Sequence, residues 1–347
     1  MATIGIVGTG WGARVQVPTF REAGLRVVAI AGHRPERTRE VAAELDVQPY
    51  DDWRELIASA DIDLISIVTP PSEHREMGLA ALAAGKHVLL EKPTAMHAGE
   101  AEELLAAARN TQRIALIDHE LRFLPPWREA RARIGELGGV RYAEVRYASP
   151  ARGDRTREWN WWSDANRGGG IWGAVGSHFV DALRYFGLEF EEAQALMRTT
   201  IDRRPYGETT REVTSDDFAS VDLRCRGGEL VVMNFSAVSS GPDETAMMTI
   251  YGERGAMRFI GEEVLLSTNG SPFTTMAGGP LQQRPGNSPG GAFGTGTLHL
   301  GHALREALDD GNRGALAPAA TFEDGLMQQR VLDAARKSAS AGGWVRV

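Results

Sequence analysis

Residues 3–14 constrain this chain more than any other stretch. Thr3 to Val7 is a short apolar run of strand type. It passes directly into Gly8-Thr9-Gly10-Trp11-Gly12-Ala13-Arg14 and then into a helical pattern. The spacing G-x-G-x-x-A puts one glycine at a tight turn and a second where backbone must come close to a ligand. The small third residue lets helix pack on strand. The helix start then offers free N–H groups and a positive dipole end, which suits a pyrophosphate. Gly8, Thr9, Gly10, Trp11, Gly12 and Ala13 are therefore candidate dinucleotide contacts. The plainer alternative is an ordinary glycine turn.

Leu25 to Ala31 reads as the second strand. An NAD site usually ends this strand on Asp or Glu, which binds the ribose 2′-hydroxyl. Here the chain runs Ala31-Gly32-His33-Arg34-Pro35-Glu36-Arg37, so that carboxylate is absent. Gly32 leaves room, and His33, Arg34 and Arg37 supply positive charge for a 2′-phosphate. NADP is expected to be preferred, with NAD possible. Alternatively Arg34 and Arg37 are exposed helix-start residues paired with Glu36 or Glu40.

Strands and helices then alternate. A helix is expected over Pro35 to Leu45 and another opens at Asp51-Asp52-Trp53. Asp63 to Val68 is a nearly continuous apolar strand, as when both faces are covered. It ends in Thr69-Pro70-Pro71-Ser72-Glu73-His74, where two prolines fix a loop at the ligand edge. An Ala- and Leu-rich helix follows, from about Ser72 to Ala84. Val88 to Leu90 is the next buried strand, and it ends on Glu91-Lys92-Pro93. Polar groups at the carboxyl end of a buried strand sit where open α/β sheets bind ligands. Lysine is also suited to proton transfer. Thr69, Pro70, His74, Glu91 and Lys92 thus join the candidate cofactor contacts. A helix Gly99 to Arg109 and a strand Ile114 to Asp118 complete a doubly wound parallel sheet, which breaks off at Pro125-Pro126.

From about Gly138 the apolar period changes to two. Val140 to Tyr147, Phe218 to Leu223, Glu229 to Phe235, Met247 to Tyr251 and Ala256 to Ile260 alternate as half-exposed antiparallel strands do. Asn269 to Gly296, rich in Gly, Pro and Ser, is expected to be a long loop. Helices are expected again over Leu298 to Asp310 and Thr321 to Ala339. Gly168-Gly169-Gly170 precedes a helix that carries His178 and Asp181 on one face, three residues apart. Glycines there permit close approach to a ligand or to another chain segment. A neutral imidazole near a hydroxyl can act as base or acid. Trp159, Trp161 and Trp162 can stack on a sugar ring or a nicotinamide, or plug their loop onto the core. His299 and His302 share a helix face without a third ligand, so no metal is expected.

The bulk numbers exclude several classes. At 347 residues the chain is long enough for two domains. Its net charge of −8 argues against a nucleic-acid binder. Cys225 is the single cysteine, so a disulfide framework is ruled out and a reducing, cytoplasmic setting fits. No apolar run approaches the ~20 residues that span a bilayer. The start Met1-Ala2-Thr3-Ile4 does not read as a secretory leader.

Taken together, these stretches resemble the Gfo/Idh/MocA family of NAD(P)-dependent oxidoreductases. The resemblance rests on Gly8 to Ala13, Thr69-Pro70-Pro71 with His74, Ala84 to Pro93, Arg122-Phe123-Leu124-Pro125, Gly168-Gly169-Gly170 with Gly176-Ser177-His178, and Thr321 to Gly325. It implies a Rossmann domain over residues 1–124. It implies a C-terminal α/β domain over 125–347, whose open, largely antiparallel sheet makes a homodimer or homotetramer contact. It implies hydride transfer to or from a sugar, cyclitol or similar polyol, with neither nucleic acid nor membrane as partner. The family lysine maps to Lys92 and the family histidine to His178. With Asp181 these are the expected catalytic groups. His119 and Trp162 join them as expected substrate contacts. The carboxylate usual one turn before the histidine is replaced by Ala174. A non-catalytic sensor is the alternative to which this departure points, and a reductase of a non-sugar ring stays open because the Trp159 to Trp162 stretch suits an aromatic or cyclic substrate.

Overall fold

A computed structural model gives the structure and describes residues 1–241, 245–276 and 291–347. In chain order the elements begin β1 (Thr3–Val7), α1 (Val17–Glu22), β2 (Arg26–Ala31), α2 (Pro35–Leu45), β3 (Gln48–Tyr50) and α3 (Trp53–Ala58). They continue with β4 (Leu64–Ile67), α4 (Pro71–Ala83), β5 (His87–Leu90), α5 (Ala98–Arg109), β6 (Ala115–Ile117), α6 (Pro125–Arg133) and β7 (Val140–Ala148). Next come α7 (Ser177–Tyr185), β8 (Phe190–Arg198), β9 (Arg203–Tyr206), β10 (Thr209–Glu212), β11 (Phe218–Cys225), β12 (Leu230–Ser236) and β13 (Thr245–Gly252). The last are β14 (Gly255–Ile260), β15 (Glu263–Thr268), β16 (Thr274–Thr275), α8 (Gly291–Asp309), β17 (Ala320–Thr321), α9 (Phe322–Ala341) and β18 (Val345–Arg346). No described helix is long and apolar enough to cross a membrane.

The chain divides into two compact units. The first holds Met1–Ala95, Gly99–Leu124 and residues 291–326 of the described chain. Its sheet order is β17-β6-β5-β4-β1-β2-β3, parallel except for β17, which pairs antiparallel with β6. The strand order reverses between β1 and β4, and ligands of doubly wound sheets bind outside that switch point. Ile4, Ile6, Ile30, Leu64 and Leu89 are fully buried, each contributing ~1.5–3 kcal/mol by leaving water. The core also takes Leu300, Leu304 and Ala307 from α8. Residues late in the chain therefore pack with the N-terminal sheet. Apolar positions on α8 match an uncovered face there, which no local pattern reveals.

The expected loop 269–296 needs correction at its end. Residues 277–290 lie outside the described residues, but 291–296 form the opening turns of α8. Glycine here serves contact rather than flexibility. A Cβ on Gly296 would lie 2.5 Å from the Glu120 carbonyl oxygen, and one on Gly301 2.8 Å from Ala23 Cβ.

The second unit holds a sheet of order β16-β15-β14-β13-β7-β12-β11-β8-β18. Only β12 and β7 run parallel among its described pairs. One face is buried under α6, α7 and their neighbours through the pairs Trp127–Phe259, Phe186–Phe259 and Phe179–Phe235. The other face leaves Leu196, Leu230 and Ile260 exposed. Strand β8 escapes a pattern reading because Phe-Glu-Glu-Ala-Gln-Ala-Leu-Met-Arg is helix-favouring in composition. Full pairing with β11 overrides that preference.

Gly296→Ala tests the α8 contact. It gains ~1 kcal/mol of helix propensity but must displace the Glu120 backbone. We expect a net loss of about 1–3 kcal/mol in urea unfolding of the full chain. Unchanged stability would show that α8 has room to move.

Candidate active site

In the first unit the glycine turn does what its spacing requires. Gly8 has φ 138°, and a Cβ there would lie 2.4 Å from the Val68 carbonyl oxygen, too close for any side chain. Gly12 is also filled, with Ile6 Cγ2 2.7 Å from where its Cβ would be. Gly10 differs, because nothing lies within 4 Å of a Cβ built on it. That open face is the room a pyrophosphate needs against bare backbone, so the turn fits a dinucleotide. Residues Gly12–Gln16 form a π-helical turn ahead of α1, a form often found at functional sites. At the end of β2, the room expected beside Gly32 is absent, because Thr38 and Thr9 fill it. A Cβ on Gly32 would meet Thr38 Oγ1 at 2.6 Å and Thr9 Cγ2 at 2.7 Å. His33, Arg34 and Arg37 are exposed, and Arg37 pairs with Glu40 at 3.1 Å.

Lys92 follows β5 at the same carboxyl edge, and its bond to Pro93 is cis. Around it the structure gathers acids. Glu91 follows β5, Asp118 follows β6, and Glu120 opens the next turn. Asp118 and Glu120 are buried, and Glu91 keeps some surface while its carboxyl is enclosed. Burial raises Glu91, and the charge of Lys92 opposes that rise. Burial, then the neighbouring Glu91, holds Asp118 well above the usual carboxylate range. Burial, then Asp118 and Glu91, does the same for Glu120. Asp118 Oδ2 accepts from Gln16 Nε2 at 2.9 Å, and Gln16 Oε1 accepts from Ser66 Oγ at 2.6 Å. His119 is buried beside these acids in the chain.

His74 ties two loops of this edge together. Its Nδ1 lies 3.0 Å from the Pro93 carbonyl and its Nε2 2.9 Å from the Thr69 carbonyl. A neutral ring donates to only one of them. Burial is the larger effect and pushes its pKa down to about 4. Pro70 caps α4, and Thr69 Oγ1 contacts Met77 Sδ at 3.6 Å.

In the second unit His178 and Asp181 lie buried on α7, behind a π-helical turn, Trp172–Gly176, that contains Ala174. The glycine run ahead of it serves chain packing. A Cβ on Gly169 would overlap the Trp162 carbonyl, and one on Gly170 would overlap Asp216 Oδ1. Asp216 in turn accepts from the Trp172 N–H at 2.8 Å. Trp159 is pinned to the β9–β10 hairpin, its Nε1 donating to the Glu212 carbonyl at 2.9 Å, with Arg211 3.8 Å above the ring. One face of Trp162 carries Arg152 at 3.9 Å. His299 and His302 sit on α8 with ring centroids 6.5 Å apart.

Local pattern does not single out Gln16, Ser66, Asp118 or Glu120. The signals the sequence does carry are Ser66, a lone hydroxyl inside an apolar strand, and Asp118 at a strand's carboxyl end, like Lys92.

Comparison with known proteins agrees with this architecture. Residues 2–119 match the model of an oxidoreductase family with an NAD-binding Rossmann fold, and 127–258 match a GFO/IDH/MocA C-terminal domain. An uncharacterized oxidoreductase of Synechocystis is 30% identical over 262 residues, covering 74% of this chain and 70% of that protein. Human glucose-fructose oxidoreductase domain-containing protein 2 is 28% identical, covering 99% and 93%. Among solved structures, an oxidoreductase domain protein from Kribbella flavida superposes with TM-score 0.87 at 26% identity over 100% of both chains. Levoglucosan dehydrogenase, in complex with NADH and L-sorbose, shares the fold with TM-score 0.89 at 23% identity, over 100% and 98%.

The buried neutral His74 predicts a pH signature. Its unfolded ring protonates near 6.5, while the native ring stays neutral down to about 4. Between those values the unfolded state binds more protons. The stability it contributes is therefore whole above pH 6.5 and lost as pH falls towards 4. The stability gap between wild type and His74→Gln should narrow by up to about 3 kcal/mol from pH 7 to 4. The variant cancels the opposite slope of the buried acids, which both proteins share. A gap independent of pH would refute the neutral ring.

Proposed function

The chain belongs to the Gfo/Idh/MocA family of oxidoreductases, and on that premise we propose hydride transfer between a nicotinamide and a carbinol or carbonyl carbon of a sugar, cyclitol or similar polyol. The observation that carries this reading is Lys92 on the same carboxyl edge as the open Gly10 turn. The nicotinamide, when bound, supplies the hydride chemistry. Lys92 Nζ takes the hydroxyl proton in oxidation, or gives one to the carbonyl oxygen in reduction. Glu91 sets the surroundings of that amine. His178 is assigned a second proton-transfer or orienting role, and Asp181 fixes substrate or imidazole. His119 and Trp162 are assigned substrate contact. A cytoplasmic location and a homodimer or homotetramer through the open sheet face complete the reading. The exposed Leu196, Leu230 and Ile260 support the oligomer contact.

Ala174 favours one second reading, a sensor that binds cofactor and sugar without turnover. A panel of sugars and inositols followed by nicotinamide absorbance separates the two. Lys92→Ala should lower turnover by at least ~10²-fold on any substrate found, with cofactor affinity nearly unchanged. Full activity in that variant would exclude Lys92. Cofactor binding by wild type with no turnover on any member would favour the sensor.

NADP is assigned as the preferred cofactor, with NAD as the alternative. Two observations support it. The space at Gly32 is filled by Thr9 and Thr38, so a carboxylate has no place there. Arg37 is engaged by Glu40, as the alternative reading expects, and does not count towards it. Arg34 stands exposed at the start of α2 with His33 beside it. A charge-assisted pair with the 2′-phosphate then falls to Arg34. Paired titrations with NADPH and NADH should show Arg34→Asp weakening NADPH about tenfold or more while sparing NADH. Equal NADPH preference in both proteins would sink the Arg34 assignment.

A further inference from the structure

The three acids beside Lys92 exceed what a proton-transferring lysine needs. Glu91 alone would serve as its counter-charge. Asp118 and Glu120 are enclosed as well, and two carboxylates in contact repel. Asp118 Oδ1 is buried with no hydrogen-bond partner among the described residues. The register of β5 on β6, with Leu90 opposite Ile117, continues to Glu91 opposite Asp118, so the two carboxyls are cross-strand neighbours. A hydrogen bond between them requires a proton on one. Gln16 donates to the other oxygen of Asp118 and is itself held by Ser66. Both donors are neutral, so they orient Asp118 without adding charge.

We propose that Glu91 and Asp118 form one carboxyl pair sharing a single proton, and that the pair is the acceptor to which Lys92 passes its proton. The pair acts through Lys92, so its members are positioning residues. The step balances as follows. A proton leaves the Lys92 ammonium, the singly charged pair takes it up, and a neutral amine and two neutral carboxyls remain. Groups facing the pair are Lys92 from the end of β5, Glu120 from the turn after β6, Gln16 and Ser66. The proton-passing part rests on the assignment of Lys92 above, whereas the shared proton does not.

Infrared titration of the full chain without cofactor tests both parts. At pH 7 wild type should show a carboxylic-acid C=O band that disappears on alkalinisation. Glu120→Gln removes the band of the third buried acid, and in that background Glu91→Gln and Asp118→Asn should each lose the remaining component. Lys92→Met should move its loss to higher pH by about one unit or more, because the ammonium favours the charged pair. A band untouched in Asp118→Asn, or none at pH 7, overturns the pair. A Lys92→Met titration like wild type overturns the link to Lys92. Should the acid variants misfold, carboxyl ¹³C titration of labelled wild type decides. Two coupled steps for one Asp and one Glu support the pair, and independent ionisation below pH 5 overturns it. Loss of turnover in Lys92→Ala with no shared-proton band would remove the pair and leave the assignment of Lys92 standing.

Discussion

The Val68 carbonyl oxygen occupies the place where a side chain at position 8 would go. Much of the first unit depends on that exclusion. Only glycine lets β1 turn so close to β4, and the ladder continues past the strands through Val68 N to Val7 O at 2.7 Å. Adjacent parallel strands then end level. The Glu91 N–H reaches the Ile67 carbonyl at 2.9 Å, and the Asp118 N–H reaches the Leu90 carbonyl at 2.8 Å. One edge thereby collects a bare backbone turn, a lysine and three acids. Parallel sheets do this because every strand presents the same end on the same side.

Glycine plays opposite parts in the two units. At Gly10 the missing side chain leaves space open. At Gly169 and Gly170 it lets Trp162 and Asp216 close in, so the run that looks like a ligand cradle is a packing device. The tryptophans follow the same logic. Trp159 is held by hairpin carbonyls and Arg211, and Trp162 carries Arg152 on one ring face. Composition alone cannot separate these uses, because both need the same residue types.

Electrostatics in the first unit runs against habit for an acidic protein. The chain's excess carboxylates are mostly solvated, but Glu91, Asp118 and Glu120 are enclosed, and burial raises all three. His74 moves the other way for the same reason, since burial disfavours whichever form carries charge. A single lysine and one neutral donor, Gln16, offset part of that cost.

Local pattern alone determined the strand–turn–helix start, the alternation to Leu124, the change of period near Gly138, and the candidacy of Lys92 and His178. Those signals are short-range. They are periodicities of 2 and 3.6 residues and turn chemistry within a few positions. Tertiary structure decided the rest. Strand β8 forms against its composition because β11 pairs with it along its length. Residues 291–326 join the N-terminal sheet because an apolar face there needed cover. Gln16, Ser66, Asp118 and Glu91 become one network only when four separate segments reach one sheet edge. A lone polar residue in an apolar run says that a partner is needed. Only the fold says which partner it meets.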